Sequence, residues 1–242
     1  MKTQHAPFLI IETGDPAPSL RRYGSFAHWI RVAAGLRPDQ AVTYRVAAGD
    51  ALPQREGFAG ALITGSGAMV TERLDWSERS AAWLRDAAHA GMPLFGICYG
   101  HQLLAHALGG AVDYNPVGRE MGTVRIERLD AAADDPLFGW HPPVFDAHAT
   151  HLQTIMRLPE GAVALARSEK DGCHAFRWGS SAWGVQFHPE FSTAMMHGYI
   201  AARREKLLNE GMHPPTIHRG VTAAPHARNV LRRFVRHARA AR

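Results

Sequence analysis

The first 110 residues alternate between apolar runs of strand length and longer segments whose apolar positions have helical spacing. Strands are predicted at residues 7–14, 41–49, 58–67 and 93–97. Helices are predicted at residues 26–36, at about 75–90, and from Tyr99 to the glycine pair at 109–110, a typical helix stop signal. This alternation predicts right-handed crossovers and a parallel sheet that carries helices on both faces.

The pattern changes after Gly110. Short strand-like runs follow, separated by Gly, Pro and Asp: AVDYN, TVRIERL, VFDAHAT, AVALARS, CHAFRW and AWGVQF. They predict a small antiparallel β extension, and the last run is expected to return to the main sheet. Two helices are predicted beyond it, at about 193–210 and 226–240, joined by a proline-containing loop. The expected fold is therefore α/β: a three-layer, flavodoxin-like domain with a mostly parallel central sheet, whose sites form at the carboxyl ends of the strands.

Length and cysteine content narrow the class of protein. The 242 residues, 46% of them hydrophobic, are enough to bury one large core, which we place in a domain over residues 1–200. Two cysteines exclude a disulfide scaffold and fit a reducing compartment. The apolar run FLII before Glu12 is too short for a signal peptide or a membrane span, so we expect a cytoplasmic protein without a membrane partner.

Positive charge is concentrated at the C-terminus. Residues 201–242 carry ten basic and two acidic residues, a net charge of +8, whereas residues 1–200 carry 17 basic and 20 acidic residues, a net charge of −3. We predict that residues 201–242 form a basic helical extension packed on the domain, with the charges on a solvated face. Only Phe234 could stack on a base there, so no nucleic-acid partner is expected.

The segment PLFGICYGHQ joins a predicted strand to a predicted helix and contains Cys98. Gly96 lies two residues before this cysteine and Gly100 two residues after it. A nucleophile at a sharp strand-to-helix turn needs small neighbours at these positions, because the strained backbone comes close to the surrounding chain. The start of the helix would also lower the pKa of the thiol and so favour the nucleophilic thiolate.

A thiol nucleophile needs a base, and the segment AWGVQFHPEFS supplies one. His188, Pro189 and Glu190 follow the predicted strand. Extended chain points the side chains of residues i and i+2 to the same side, so Glu190 can accept a hydrogen bond from the His188 imidazole and orient it. The pattern predicts a catalytic triad of Cys98, His188 and Glu190.

The segments GICYGHQ and WGVQFHPEF resemble the class I, triad-type glutamine amidotransferases. The similarity extends over about residues 60–192 and is greatest to the stand-alone relatives of the glutaminase domain of GMP synthase. It implies that Cys98 attacks the side-chain amide of glutamine, forming a glutamyl thioester and releasing ammonia. It further implies His188 as base and acid, Glu190 as the group that orients it, and no cofactor.

The resemblance also implies oxyanion and substrate contacts. The turn at Gly65 and Ser66 and the residue after the nucleophile, Tyr99, would supply the oxyanion donors, although Gly-Ser-Gly stands where the family usually has two glycines and a proline. The implied contacts to the glutamyl group come from Gly65, Gln102, Glu120, Thr150 and His151. Glu120 is expected near the substrate amino group. Gln153 replaces an aspartate that serves the partner domain in GMP synthase.

Other attractive residues are given structural interpretations. His101, His106, His148 and His151 do not have the spacing of metal ligands, and HExxH and CxxC patterns are absent from the sequence, so no metal site is expected. Cys173 lies in a short strand-like run and is interpreted as a small buried hydrophobic residue.

Three functions remain open. The preferred one is a glutamine amidotransferase that passes ammonia to an acceptor on a separate synthetase subunit, because the roughly fifty residues after the triad are too few for an ATP-using domain. The second is a γ-glutamyl peptidase or hydrolase acting on compounds such as glutathione conjugates, which the same triad would cleave. The third is a non-catalytic regulatory or binding subunit, which would have no need of an intact triad.

Overall fold

The computed structural model describes residues 6–240, which form eleven β-strands and seven α-helices. The strands are β1 Phe8–Glu12, β2 Ala41–Arg45, β3 Ala61–Ile63, β4 Leu94–Ile97, β5 Ala111–Tyr114, β6 Glu120–Arg128, β7 Val144–His151, β8 Gln153–Arg157, β9 Ala162–Arg167, β10 Ala175–Trp178 and β11 Ala182–Val185. The helices are α1 Phe26–Ala33, α2 Asp75–His89, α3 Tyr99–Ala107, α4 Thr193–Ala202, α5 Arg204–Asn209, α6 Pro214–Arg219 and α7 Pro225–Ala240.

The main sheet has nine strands in the order β2-β1-β3-β4-β11-β10-β9-β6-β7. The first five run parallel to one another, and β11 pairs with β4 so that Trp183 lies opposite Phe95. The carboxyl ends of β1, β3, β4 and β11 therefore meet at one edge of the sheet. The predicted α/β class and the return of the last strand to the main sheet are confirmed.

Both faces of the sheet are covered, as predicted. Phe8 and Ile10 of β1 point into a core shared with α1 and α7, whereas their neighbours Leu9 and Ile11 point into a second core shared with α2 and α3. This alternation follows from the two-residue period of a strand, and all four side chains are fully buried. The result is a three-layer domain.

The antiparallel region differs in part from the prediction. Strands β6, β7, β9 and β10 continue the main sheet. Strand β10 pairs antiparallel with β11, β9 pairs with β10, β6 with β9, and β7 with β6. Only β5 and β8 form the separate small antiparallel sheet among residues 6–240. The extension is thus mostly a lateral continuation of the central layer.

The C-terminal region contains four helices where two were expected. The predicted helix at 193–210 is interrupted at Arg203, whose backbone (φ −107°, ψ 12°) separates α4 from α5. The expected loop contains α6, because prolines are tolerated in the first turn of a helix and His213 caps it by accepting from the Thr216 amide. Helix α7 belongs to the main core, since Val230, Leu231 and Phe234 are fully buried.

Within residues 6–240, none of the helices combines the length and the apolar character that a bilayer crossing requires.

Candidate active site

Cys98 lies in a sharp turn between β4 and α3. Its backbone is left-handed (φ 51°, ψ −104°), a strained conformation for a residue with a side chain. A Cβ on Gly96 would overlap the carbonyl of Gly100, and a Cβ on Gly100 would lie 2.6 Å from the carbonyl oxygen of Ile63. The two glycines around Cys98 are therefore required by close backbone contacts, as the sequence pattern predicts for a nucleophile elbow.

His188 lies directly beyond β11, and its orientation is fixed from several sides. Its Nδ1 is 2.8 Å from Oε1 of Glu190, and its ring stacks on Phe191 with 4.0 Å between centroids. Its backbone N–H donates to the carbonyl of His148 over 2.7 Å. The other ring nitrogen, Nε2, is buried.

Gly65 lies between the predicted nucleophile and the predicted base. A Cβ on Gly65 would lie 3.7 Å from Cβ of Cys98 and 3.2 Å from Cε1 of His188. Both side chains therefore border the turn that follows β3. The absence of a side chain at Gly65 leaves the space that the thiol and the imidazole need to approach a common substrate.

The electrostatics of Cys98 and His188 are mutually reinforcing. Burial raises the pKa of the Cys98 thiol, but the positive charge of His188 outweighs burial and brings that pKa below its ordinary value. Burial lowers the pKa of His188, and the negative charges of Glu190 and Cys98 reverse this and raise it. A thiolate paired with an imidazolium is the state that these shifts favour.

Two cavities meet at Cys98. The first, of about 240 Å³, is termed the Phe191 cavity; its lining includes Cys98, His188, Phe191, Tyr199, Phe26 and Arg203. The second, of about 30 Å³, is termed the Gln102 cavity; its lining includes Cys98, Tyr99, Gln102, Thr150, His151 and Arg203. Ser66 lies on the wall of both.

The predicted oxyanion residues lie beside Cys98. The Ser66 hydroxyl donates to the carbonyl of Thr13 over 2.7 Å and accepts from the Ala68 amide over 3.2 Å, so this side chain holds the turn in place. Tyr99 is the first residue of α3, where backbone N–H groups have no partner within the helix. The Tyr99 hydroxyl bonds to Ser77 over 2.6 Å, away from the thiol. Backbone N–H groups are thus the donors that this turn can offer.

Three of the predicted substrate residues line the Gln102 cavity: Gln102, Thr150 and His151. The Gln102 amide already donates to the carbonyl of Gln153 over 2.7 Å and to Gln186 over 2.8 Å. The carbonyl oxygen of Thr150 is 4.0 Å from the Cys98 sulfur. The structure therefore brings these residues to Cys98, and their predicted substrate contacts stay predictions.

Glu120 lies behind His151. Its carboxylate accepts from His151 over 3.0 Å, from His174 over 2.5 Å and from Ser168 over 2.7 Å. Neither cavity at Cys98 is lined by Glu120. In this arrangement the carboxylate orients His151 and, together with Asp171, raises the pKa of that imidazole against the effect of burial. The structure does not bring Glu120 into the lining where the expected contact with the substrate amino group would form.

Glu120, His151 and His174 also form a compact cluster of potential metal ligands, with ligand atoms within 4.8 Å of one another. Within the described residues, direct hydrogen bonds between the carboxylate and both imidazoles account for this closeness. Sequence spacing gave no signal for His174, because its position is set by the pairing of distant strands.

Arg203, Phe191 and Tyr199 line the cavity beside Cys98 but were not predicted from the sequence. Phe191 follows the triad directly and could have been identified as a neighbour of His188. Tyr199 lies one helix further on, and its ring stacks on Phe191 with 5.0 Å between centroids. Arg203 ends α4 and reaches both cavities, a placement that no local pattern indicates.

Comparison with known proteins identifies the family. The sequence profile described as glutamine amidotransferase class-I matches residues 23–204, so this chain belongs to that family. A glutamine amidotransferase structure from Thermotoga maritima has the same fold, with a TM-score of 0.76 and 21% identity, covering 97% of this chain and 99% of that one.

Two of the curated relatives have different names. The GMP synthase of Thermosipho melanesiensis is 36% identical over 126 residues, which are 49% of this chain and 24% of that protein. The gamma-glutamyl-L-1-hydroxyisopropylamide hydrolase of a Pseudomonas species is 29% identical over 167 residues, 66% of this chain and 57% of that protein. The chain thus spans about a quarter of the length of the first relative and just over half of the length of the second.

Proposed function

We propose that this protein hydrolyses the γ-amide bond of a γ-glutamyl substrate through a thioester on Cys98. Glutamine is the simplest such substrate. The observation that carries the proposal is the placement of Cys98 at a strained strand-to-helix turn, beside a His188 that Glu190 holds over 2.8 Å. Membership of the amidotransferase family supports the same chemistry.

The proposed reaction begins with attack of the Cys98 thiolate on the amide carbon. The negative charge that develops on the oxygen faces the backbone N–H groups of Tyr99 and of the Gly65–Ser66 turn. Protonated His188 then donates its Nε2 proton to the departing nitrogen, and the C–N bond breaks to leave a thioester. Neutral His188 next takes a proton from water, which attacks the thioester and releases glutamate. Glu190 stabilises the imidazolium and fixes the ring orientation in both steps.

The amidotransferase interpretation sends the ammonia to an acceptor on a separate synthetase subunit. Gln153 bears on this interpretation because it replaces the aspartate expected to serve such a partner. Its side-chain amide donates to Thr71 over 2.6 Å and its oxygen accepts from the Val70 amide over 3.0 Å, so the side chain is turned inward. A synthetase partner would therefore have to use other residues for docking.

A γ-glutamyl amide hydrolase is the second candidate, and the Phe191 cavity favours it. This cavity of about 240 Å³ borders both the nucleophile and the base, and it exceeds the space that ammonia needs. A non-catalytic subunit would have no use for a paired thiolate and imidazolium at a strained turn. The non-catalytic interpretation would therefore be supported only if the protein turned over none of the substrates.

The test is a substrate panel on the full chain, with release of glutamate as the measurement. Glutamine, γ-glutamyl dipeptides and glutathione are compared, and the Cys98→Ala variant gives the background. We expect hydrolysis of at least one of these substrates by the parent protein and none above background by the variant. Equal rates for the parent protein and the variant, or no turnover with any substrate, would remove the proposal.

A further inference from the structure

The departing nitrogen must lie on the His188 side of Cys98, because His188 supplies its proton. Of the two cavities at the nucleophile, His188 lines only the Phe191 cavity. The leaving amine of a bound substrate therefore extends into that cavity, and the glutamyl group lies on the other side of Cys98, where the Gln102 cavity of about 30 Å³ admits only part of it. This assignment rests on the proposed function.

The Phe191 cavity has the size and the walls of a pocket for an organic amine. A single water needs roughly 15 Å³ of such space, and ammonia is of similar size, whereas this cavity measures about 240 Å³. Its walls include the rings of Phe26, Phe191 and Tyr199, of which Phe191 and Tyr199 stack on each other. Such walls suit an amine with an apolar body.

Arg203 adds a cation to this apolar pocket. Its guanidinium lies over the Tyr199 ring, 5.4 Å from the centroid, and makes no hydrogen bond or ion pair with the residues at 6–240. The neighbouring Arg119 differs, because Glu210 holds it with two hydrogen bonds of 2.6 and 2.9 Å. Burial and the charge of Arg119 lower the pKa of Arg203, and the negative charges of Cys98 and Glu210 do not reverse this, so an anion bound directly to the guanidinium would relieve an unfavourable environment.

The other charged groups on the cavity wall do not neutralise Arg203. Asp15 lies 3.6 Å from Arg21 and 3.4 Å from Arg45, so its charge is already shared by two exposed arginines. Besides the mutually compensating Cys98 and His188, the lining holds two cations, Arg21 and Arg203, against one carboxylate. The net charge of the cavity is positive.

We propose that the Phe191 cavity binds a leaving amine that carries its own carboxylate, and that Arg203 pairs with this carboxylate. The substrate class is therefore γ-glutamyl derivatives of apolar amino acids or of short peptides that begin with one. Hydrolysis breaks the C–N bond, adds water across it, and yields glutamate and the free amino acid or peptide. Arg203 is a specificity-determining residue in this scheme.

The experiment compares kcat/KM for γ-glutamyl-leucine, γ-glutamyl-leucinamide and glutamine. The first two have the same shape and differ only in the carboxylate. We expect the parent protein to prefer γ-glutamyl-leucine over its amide by about tenfold or more, the effect of a hydrogen bond between charged groups. The Arg203→Met variant should lose this preference, and Arg203→Lys should retain part of it. The matched control is Arg204→Met, an exposed neighbour expected to behave as the parent protein does.

The outcomes separate the inference from the proposed function. Equal loss on all three substrates in Arg203→Met would place Arg203 at the glutamyl carboxylate and overturn the inference. Hydrolysis of glutamine by the parent protein with no preference for γ-glutamyl-leucine over its amide would also overturn it, while leaving the proposed function intact. No turnover of any substrate would instead remove the proposed function. If Arg203→Met does not fold, the substrate pair on the parent protein and the Arg203→Lys variant still decide the question.

Discussion

The two cysteines have nearly the same exposure, but the pKa values of their thiols are shifted in opposite directions. Cys98 is 6% exposed and Cys173 is 5% exposed. Burial and the negative charge of Asp171 raise the pKa of the Cys173 thiol, which keeps it neutral. Burial acts on Cys98 in the same direction, but the charge of His188 outweighs it and lowers the pKa.

The difference shows that burial raises the pKa of both thiols, and that the sign of the neighbouring charge then decides the direction of the net shift. The backbone differs as well. Cys98 is held in a left-handed conformation at the start of a helix, whereas Cys173 is absent from the left-handed residues of the described chain. Cys173 fits into the core and contacts the carbonyl of Ala175 at 3.9 Å, as expected of a small buried side chain.

Matched alanine variants should give the largest contrast between the two sites. Cys98→Ala should lower kcat/KM on the order of 10⁴-fold or more, because the proposed thioester cannot form. Cys173→Ala should retain a rate close to that of the parent protein. Glutamate release from the preferred substrate measures both, and comparable losses in the two variants would contradict the distinction.

Removing the groups that activate Cys98 should have graded effects. His188→Ala is expected to be nearly as severe as loss of the nucleophile, because the base and acid are both removed. Glu190→Ala should cost less, roughly 10²-fold, because orientation is only part of what His188 provides. Full pH–rate profiles of the variants supply the measurement. A Glu190→Ala variant with the parent rate at every pH would reduce the triad to a dyad.

The pH dependence of alkylation should distinguish the Cys98 thiol from the Cys173 thiol. Only the thiolate reacts with iodoacetamide, and the pKa of Cys98 is lowered, so its labelling rate should rise at a lower pH than that of an ordinary thiol, whose pKa is about 8.5. The pKa of Cys173 is raised, so its labelling should remain at least tenfold slower at neutral pH and rise only in strong alkali. Mass spectrometry of the modified peptides distinguishes the two sites. In His188→Ala the rise for Cys98 should move to higher pH, and preferential labelling of Cys173 would overturn the assignment of the nucleophile.

The elbow and the paired His188 and Glu190 could be predicted from the sequence because each depends on a few adjacent residues. The continuation of the main sheet by β6, β7, β9 and β10 could not be predicted from the sequence. Alternating polarity indicates that a segment forms a strand, but it does not indicate which strands that segment pairs with. Arg203 was missed for a related reason. An arginine at a helix end is ordinary in a sequence, and only the packing of α4 beside Phe191 brings it to the nucleophile.

The smallest expected effect concerns the free energy of unfolding, and it tests whether the backbone is strained at Cys98 and relaxed at Cys173. At position 98 the glycine variant should be more stable than the alanine variant by about 1 kcal/mol, because φ of 51° strains any residue with a Cβ. At position 173 the order should reverse by about 0.5 to 1 kcal/mol, since glycine there only adds entropy to the unfolded chain. Urea denaturation of the four variants measures both differences. Neither the alanine nor the glycine variant contains the sulfur, so the sign of their stability difference reports the backbone conformation alone. If glycine were less stable than alanine at both positions, the strain assigned to the elbow would be absent, and the placement of the thiol would have to be explained by side-chain packing.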